Sequence, residues 1–235
     1  MAKSPLHDNH DEPPVVREEL DDKGKEIYDN LRKEKKKPGL DYKIITSWNG
    51  LMISGYVNAY KAINDEVFMN EAINAGEFIY SNLVKKDGGL FHNYVNGQSK
   101  INGYLEDYAM VIQASLDLYE ITLNQLWIER ALKLSEYVIN NFSSSESELF
   151  YFTSKKDEDL ISRSVEFRDN VIPSSNSIMA KNLFRLYHYF DKEEYYERSK
   201  NMSLSVTQEF EACLLYTSPS PRDATLSRMP SSAWK

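Results

Sequence analysis

The chain is short of cysteine, glycine, proline and positive charge, and each shortage narrows what it can be. One cysteine in 235 residues, Cys213, cannot form an internal disulfide or a thiolate metal cluster. Nine glycines and eight prolines are too few to turn a many-stranded β protein. No stretch approaches the roughly 18 apolar residues of a membrane span, and the opening MAKSPLHDNHDEPP has no apolar signal-peptide core. The expected setting is therefore the cytoplasm, with no membrane partner. A formal charge of −8 argues against a phosphate-binding surface, so no nucleic acid is expected. The one basic run, residues 32–37 (RKEKKK), lies just before Pro38-Gly39. It suits a helix C-terminus, where the dipole favours cations, and the alternative is nucleic-acid or lipid contact. No phosphate-binding glycine loop, HExxH or nucleophile elbow is present, and neither a metal nor a cofactor is expected.

What is present is apolar, aromatic and periodic. Hydrophobic residues are 41 % and aromatics 12 %, enough for a core. Residues 1–14 read as a flexible lead-in, and residues 15–36 have helical spacing. Beyond them Tyr60-Lys-Ala-Ile-Asn-Asp-Glu-Val-Phe68, Tyr119-Glu-Ile-Thr-Leu-Asn-Gln-Leu-Trp127 and Tyr187-His-Tyr-Phe-Asp-Lys-Glu-Glu-Tyr195 align. In each, a tyrosine closes one amphipathic run and an aromatic opens the next eight positions later. Ala72, Ala131 and Ser199 continue the match, as do Ile79, Val138 and Val206. This is the signature of stacked helical hairpins. The pattern predicts an all-α domain over residues 15–212, with helices near 48–63, 67–84, 105–121, 125–141, 176–190 and 193–210. Residues 87–103 and 143–175 carry short aromatic, strand-like pieces, Leu90-Phe91-His92-Asn93-Tyr94 and Leu149-Phe150-Tyr151-Phe152. They predict β-hairpin-like insertions on one rim of the array.

Residues 213–235 (CLLYTSPSPRDATLSRMPSSAWK) have no period and hold three of the eight prolines. They resemble a translated sequencing adapter and are expected to be a non-native, disordered tail. Without it the chain has no cysteine, so thiol chemistry is excluded.

Three segments at the starts of first helices carry the polar chemistry. In the first (41–50), Asp41, Lys43, Trp48 and Asn49 suit a substrate shelf, with Trp48 stacking and Asn49 hydrogen bonding. The structural alternative is a Thr46 or Ser47 cap and a packed indole. In the second (103–108), Glu106, Asp107 and Tyr108 follow the loop residue His92 and supply acid–base groups and a stacking platform. The helix dipole alone also favours such first-turn carboxylates. A paired-carboxylate glycosidase needs carboxyls about 5–10 Å apart, which adjacent helical residues do not provide, so Glu106 and Asp107 would need a partner such as Asp41 or Asp169. In the third (168–177), Asp169, Ser174 and Asn176 are either ligand contacts or caps of the next helix.

These segments also carry a resemblance. Asp41-Tyr-Lys with Thr46-Ser-Trp-Asn-Gly-Leu-Met-Ile53, Tyr104-Leu-Glu-Asp-Tyr-Ala109 and Asp169-Asn-Val-Ile-Pro-Ser-Ser-Asn-Ser177 resemble hallmarks of a thioredoxin-domain-containing family. That family includes bacterial YyaL-like proteins and spermatogenesis-associated protein 20. Tyr42 replaces an aspartate and Tyr104 a phenylalanine of the pattern. The resemblance implies a partial (α/α)6 toroid of three helical hairpins, similar to six-hairpin glycosidases and to N-acylglucosamine and cellobiose 2-epimerases. It implies a carbohydrate ligand, with His92, Glu106, Asp107 and Asp169 as catalytic candidates for hydrolysis or epimerisation. The ligand contacts would be Asp41, Lys43, Trp48, Asn49, Tyr108, Ser174 and Asn176. It also implies an N-terminal thioredoxin-like domain elsewhere in the full protein. The alternative is a non-catalytic helical domain that binds partners or clients for that redox domain. Three hairpins of six would leave apolar faces uncovered, so the chain alone is expected to be weakly stable and inactive.

Overall fold

The computed structural model describes residues 20–34, 41–157 and 163–214. The chain divides into two compact units, Met1–Asp41 and Tyr42–Lys235. The first contains α1 (Asp22–Glu34), whose start is closed by the Asp21 carboxylate accepting the Gly24 N–H at 2.7 Å. The predicted lead-in, most of the predicted tail and the end of the basic run lie outside the described residues.

The second unit is built from three hairpins. They are α2 (Thr46–Ile63) with α3 (Glu66–Asn82), α4 (Leu105–Thr122) with α5 (Gln125–Phe142), and α6 (Ser175–Phe190) with α7 (Glu193–Leu214). Every predicted helix is present, displaced by a few residues at most at its ends, and α7 runs two residues into the predicted tail. The repeated tyrosines have a physical role. The carbonyls of Tyr60, Tyr119 and Tyr187 accept the N–H of Asn64, Leu123 and Asp191 at 2.7, 2.8 and 2.8 Å. Each donor is a C-cap in the left-handed region, with φ of 59°, 53° and 53°. In the first two hairpins the next residue starts the second helix: the Asp65 and Asn124 side chains accept from Val67 and Leu126 N–H. One left-handed residue and one N-cap reverse the chain.

The first helices pack side by side, α2 on α4 and α4 on α6, and each is backed by its own second helix. Helix α4 is thus enclosed on both flanks and behind, and it is buried almost all round, through Leu105, Ala109, Ile112, Leu116 and Leu118. Gly50 permits the α2–α4 approach, since a Cβ there would lie 2.8 Å from the Met110 backbone. At their C-terminal ends the three helices are joined by ions. Glu120 accepts from Lys61 at 2.6 Å and from Arg185 at 2.7 Å, Arg185 also pairs with Asp117 at 2.8 Å, and Ser54 donates to Asp117 at 2.6 Å.

At the N-terminal ends a three-stranded antiparallel sheet crosses the rim in the order β1 (Ile44–Ile45), β2 (Phe91–Val95), β3 (Gln98–Asn102). Asn96 and Gly97, both at positive φ, make the two-residue turn between β2 and β3. Among the described residues the second aromatic piece forms no strand pair, only an isolated bridge, Ser143 to Phe150. No helix among the described residues is long and apolar enough to cross a membrane.

Two substitutions test this account. Gly50→Ala should destabilise by about 1–3 kcal/mol through overpacking. Leu123→Gly should stabilise by about 1 kcal/mol, because a left-handed non-glycine residue costs about that much and the Leu123 side chain is 75 % exposed. Urea midpoints of the two variants read both effects.

Candidate acid–base rim

The first turns of α2 and α4 share one carboxylate. Asp107, fully buried, accepts the Ser47 N–H through Oδ1 at 2.9 Å and the Tyr104 N–H through Oδ2 at 2.9 Å. It therefore closes its own helix and, from 60 residues away, the start of α2. Thr46 and Ser47 do not cap α2 by side chain as one reading expected. Thr46 is the first helical residue, and its hydroxyl donates to the Phe91 carbonyl at 2.6 Å, fixing α2 to β2.

That strand delivers His92. Its Nδ1 lies 2.9 Å from Asp107 Oδ2, and because the carboxylate can only accept, Nδ1 carries the hydrogen and Nε2 is left for other work. The ring sits edge-on to Tyr104 at 4.9 Å, and Tyr104 stacks on Phe152 at 5.0 Å. The Asp107 hydrogen bond raises the His92 pKa above its ordinary value, against a smaller opposing effect of burial. Burial raises the Asp107 carboxyl, opposed first by the His92 bond. Glu106, half-buried beside them, is raised by burial and then by the Asp107 charge, opposed by the His92 charge, with the charge of Glu166 a smaller addition. The pattern is a neutralisable carboxyl next to an oriented imidazole, the combination that proton transfer needs near neutral pH. The ligand-capable atoms of His92, Glu106 and Asp107 lie within 4.8 Å of one another, close enough to share a divalent cation. The three hydrogen bonds Asp107 already accepts, one of them from His92, favour a proton-transfer set instead.

The other sequence candidates are placed differently. Trp48 is 65 % exposed on the first turn of α2 and free to meet a ring. Asn49 donates to the Ile45 carbonyl at 2.8 Å. Lys43 is exposed just before β1, and Asp41 falls in the first compact unit. Tyr108 is a correction: it is 1 % exposed, its hydroxyl accepts the Leu90 N–H, and its ring is stacked on Tyr137, so neither face can meet a sugar. Asp169 is engaged at the start of α6, accepting from Ser174 N–H at 2.7 Å, while Ser174 caps that helix through Ser177 N–H. Asn176, 2 % exposed, bonds both backbone groups of Phe150 and the Glu166 carbonyl. A cavity of about 680 Å³ adjoins these last residues, lined by Asp169, Asn176 and the apolar Leu149, Phe167, Met202 and Val206. Glu166, exposed and accepting from Ser175 Oγ at 3.1 Å, was not foreseen. No local pattern marks it, since only the folding of its loop brings its charge to bear on Glu106.

The stacked hairpins have the (α/α) toroid fold seen in six-hairpin glycosidases and 2-epimerases. The chain has 18 % identity and a TM-score of 0.58 with the GH76 α-mannanase BT2949 of Bacteroides thetaiotaomicron, covering 75 % of this chain and 46 % of that one. With cellobiose 2-epimerase from Bacillus thermoamylovorans the values are 17 % and 0.56, over 69 % and 44 %. With an inactive α-1,6-mannanase variant from Salegentibacter, in complex with α-1,6-mannotriose, they are 17 % and 0.56, over 78 % and 52 %. By sequence, the chain is homologous to spermatogenesis-associated protein 20. It is 31 % identical to the human protein over 178 residues, 71 % of this chain and 22 % of that protein. It is 34 % identical over 187 residues to an uncharacterized protein of Caenorhabditis elegans, 76 % of this chain and 25 % of that one. The chain thus spans a quarter or less of the length of these relatives. No protein-family model matches it.

Two measurements follow from the Asp107 geometry. Asp107→Asn should cost about 3 kcal/mol, because the amide nitrogen would face the N–H donors of Tyr104 and His92. His92→Gln should be pH-dependent. A raised His92 pKa stabilises fully below its unfolded value of about 6.5 and the benefit is lost as pH rises through the folded value. The drop in melting temperature should accordingly be larger at about pH 6 than at about pH 9.

Proposed function

We propose that this rim transfers protons on a carbohydrate, with His92 Nε2 and Glu106 as the acid–base pair and Asp107 orienting His92. The reading is carried by the 2.9 Å Asp107–His92 bond beside a half-buried Glu106 of raised pKa. The sugar-processing proteins of the same fold support the ligand class by analogy. Trp48, exposed on the same turn of α2 that Asp107 closes, gives a sugar a stacking face.

Isomerisation or epimerisation fits better than hydrolysis. Glycoside hydrolysis requires two carboxyls that are free to meet one bond, and both Asp107 oxygens already accept backbone N–H groups. For an open-chain aldose, His92 Nε2 takes the proton from the carbon next to the carbonyl while protonated Glu106 donates to the carbonyl oxygen. The enediol then turns its opposite face to His92, which returns a proton to carbon 2 while Glu106 takes back the proton on the carbonyl oxygen, and the product is the carbon-2 epimer. In a hydrolytic reading Glu166 would be the second carboxyl.

A second reading, a helical domain binding partners or clients for a thioredoxin-like redox domain, is favoured by a separate observation. Asn49, Ser174 and Asn176 are engaged with backbone, and the cavity beside α6 and α7 is lined largely by apolar side chains.

The test uses a full-length protein carrying this segment, incubated in deuterated water with mono- and disaccharides that have free reducing ends. Deuterium should enter at carbon 2, read by NMR, and the rate should fall about 10²–10⁴-fold in Glu106→Gln and His92→Asn. Release of new reducing ends without deuterium uptake would select hydrolysis. No reaction with any sugar would select the partner-binding reading.

A further inference from the structure

On α7 a cation is short of partners. Arg198, on α7, is half-buried with its guanidinium 4.6 Å over the Phe150 ring. Its Nε and Nη2, the edge that can grip two oxygens at once, are shielded from solvent and make no hydrogen bond. Glu148 approaches Nε to 3.3 Å without hydrogen-bond alignment. Burial accordingly lowers the Arg198 pKa, with the Glu148 charge opposing. A buried donor edge left unmet is costly, and an oxyanion reaching both nitrogens would remove that cost.

The cleft beside Arg198, about 540 Å³, is lined by Ser144, Ser145, Ser147, Leu204 and Ser205 and by two carboxylates, Glu146 and Glu148. The Ser144 and Ser147 hydroxyls accept from Glu146 and Leu149 N–H, at 3.0 and 3.3 Å. Ser145 is exposed and is followed three residues later by a glutamate, a spacing that an acid-directed protein kinase accepts.

We propose that Ser145 is a phosphorylation site and that Arg198 is its internal receptor. The γ-phosphoryl group of a nucleoside triphosphate passes to Ser145 Oγ, the hydroxyl proton is released, and the nucleoside diphosphate departs. The phosphoserine, with three acceptor oxygens, takes the Nε/Nη2 edge that Glu148 engages poorly. Phe150, under Arg198, is held through both backbone groups by Asn176, which also holds the Glu166 carbonyl. The modification would thus brace the loop that carries Glu166.

The test is a phosphorus NMR titration of a full-length protein carrying this segment, with phosphoserine encoded at Ser145, with and without Arg198→Gln. With Arg198 present the phosphate should titrate about one unit below the value of about 6 of free phosphoserine, because the cation favours the dianion. In folded Arg198→Gln it should return to about 6. A value of about 6 in the chain that keeps Arg198 would overturn the proposal whether or not the variant folds. Calorimetric binding of inorganic phosphate to the unmodified chain, lost in Arg198→Gln, would assign the cleft to a free anion and also overturn it.

Discussion

The carboxylate of Asp107 closes the N-terminal ends of two helices at once and orients the imidazole between them. Helix starts leave N–H groups that need acceptors, and most helices find theirs within a few residues. Here α2 finds its acceptor 60 residues along the chain. The start of α2, the start of α4 and the strand carrying His92 therefore form one hydrogen-bonded body, with Glu106 and Trp48 attached to its edge. Without Asp107 the helices would lose a shared anchor, and His92 would lose the bond that fixes which nitrogen is free.

The two ends of the first helices are held by different physics. At the rim the bonds are buried, few and aimed at backbone donors. At the opposite end Lys61, Glu120, Arg185 and Asp117 form a partly exposed ion network across α2, α4 and α6. Partly exposed pairs contribute modestly and weaken with salt, whereas the buried carboxylate does not. The rim end is thereby held by contacts that salt does not screen.

The helices were legible because their signal is local. The tyrosines at 60, 119 and 187 mark the acceptor of a left-handed cap, and apolar periodicity supplies the rest. The two-residue Asn96-Gly97 turn likewise marks its own hairpin. The site was only partly legible. Glu106, Asp107 and His92 were picked out by residue type and position, yet the role of Asp107 as a cap for α2 depends on a contact that no local pattern records. Tyr108 looked like a stacking platform and proved to be core, because its turn of α4 faces α5. The 143–152 segment has strand-like composition but gives its backbone to Asn176 and Ser164 instead of to a second strand.

The turns inside the hairpins are all of one length, while the two connectors between hairpins, residues 83–104 and 143–174, differ by ten residues. Within this chain the repeats thus differ in length on the rim and agree in the turns. A lineage could lengthen, shorten or rewrite those connectors, and so change the surface of the rim, without retuning the helical packing beneath. The fold separates the part that can drift from the part that must stay in register.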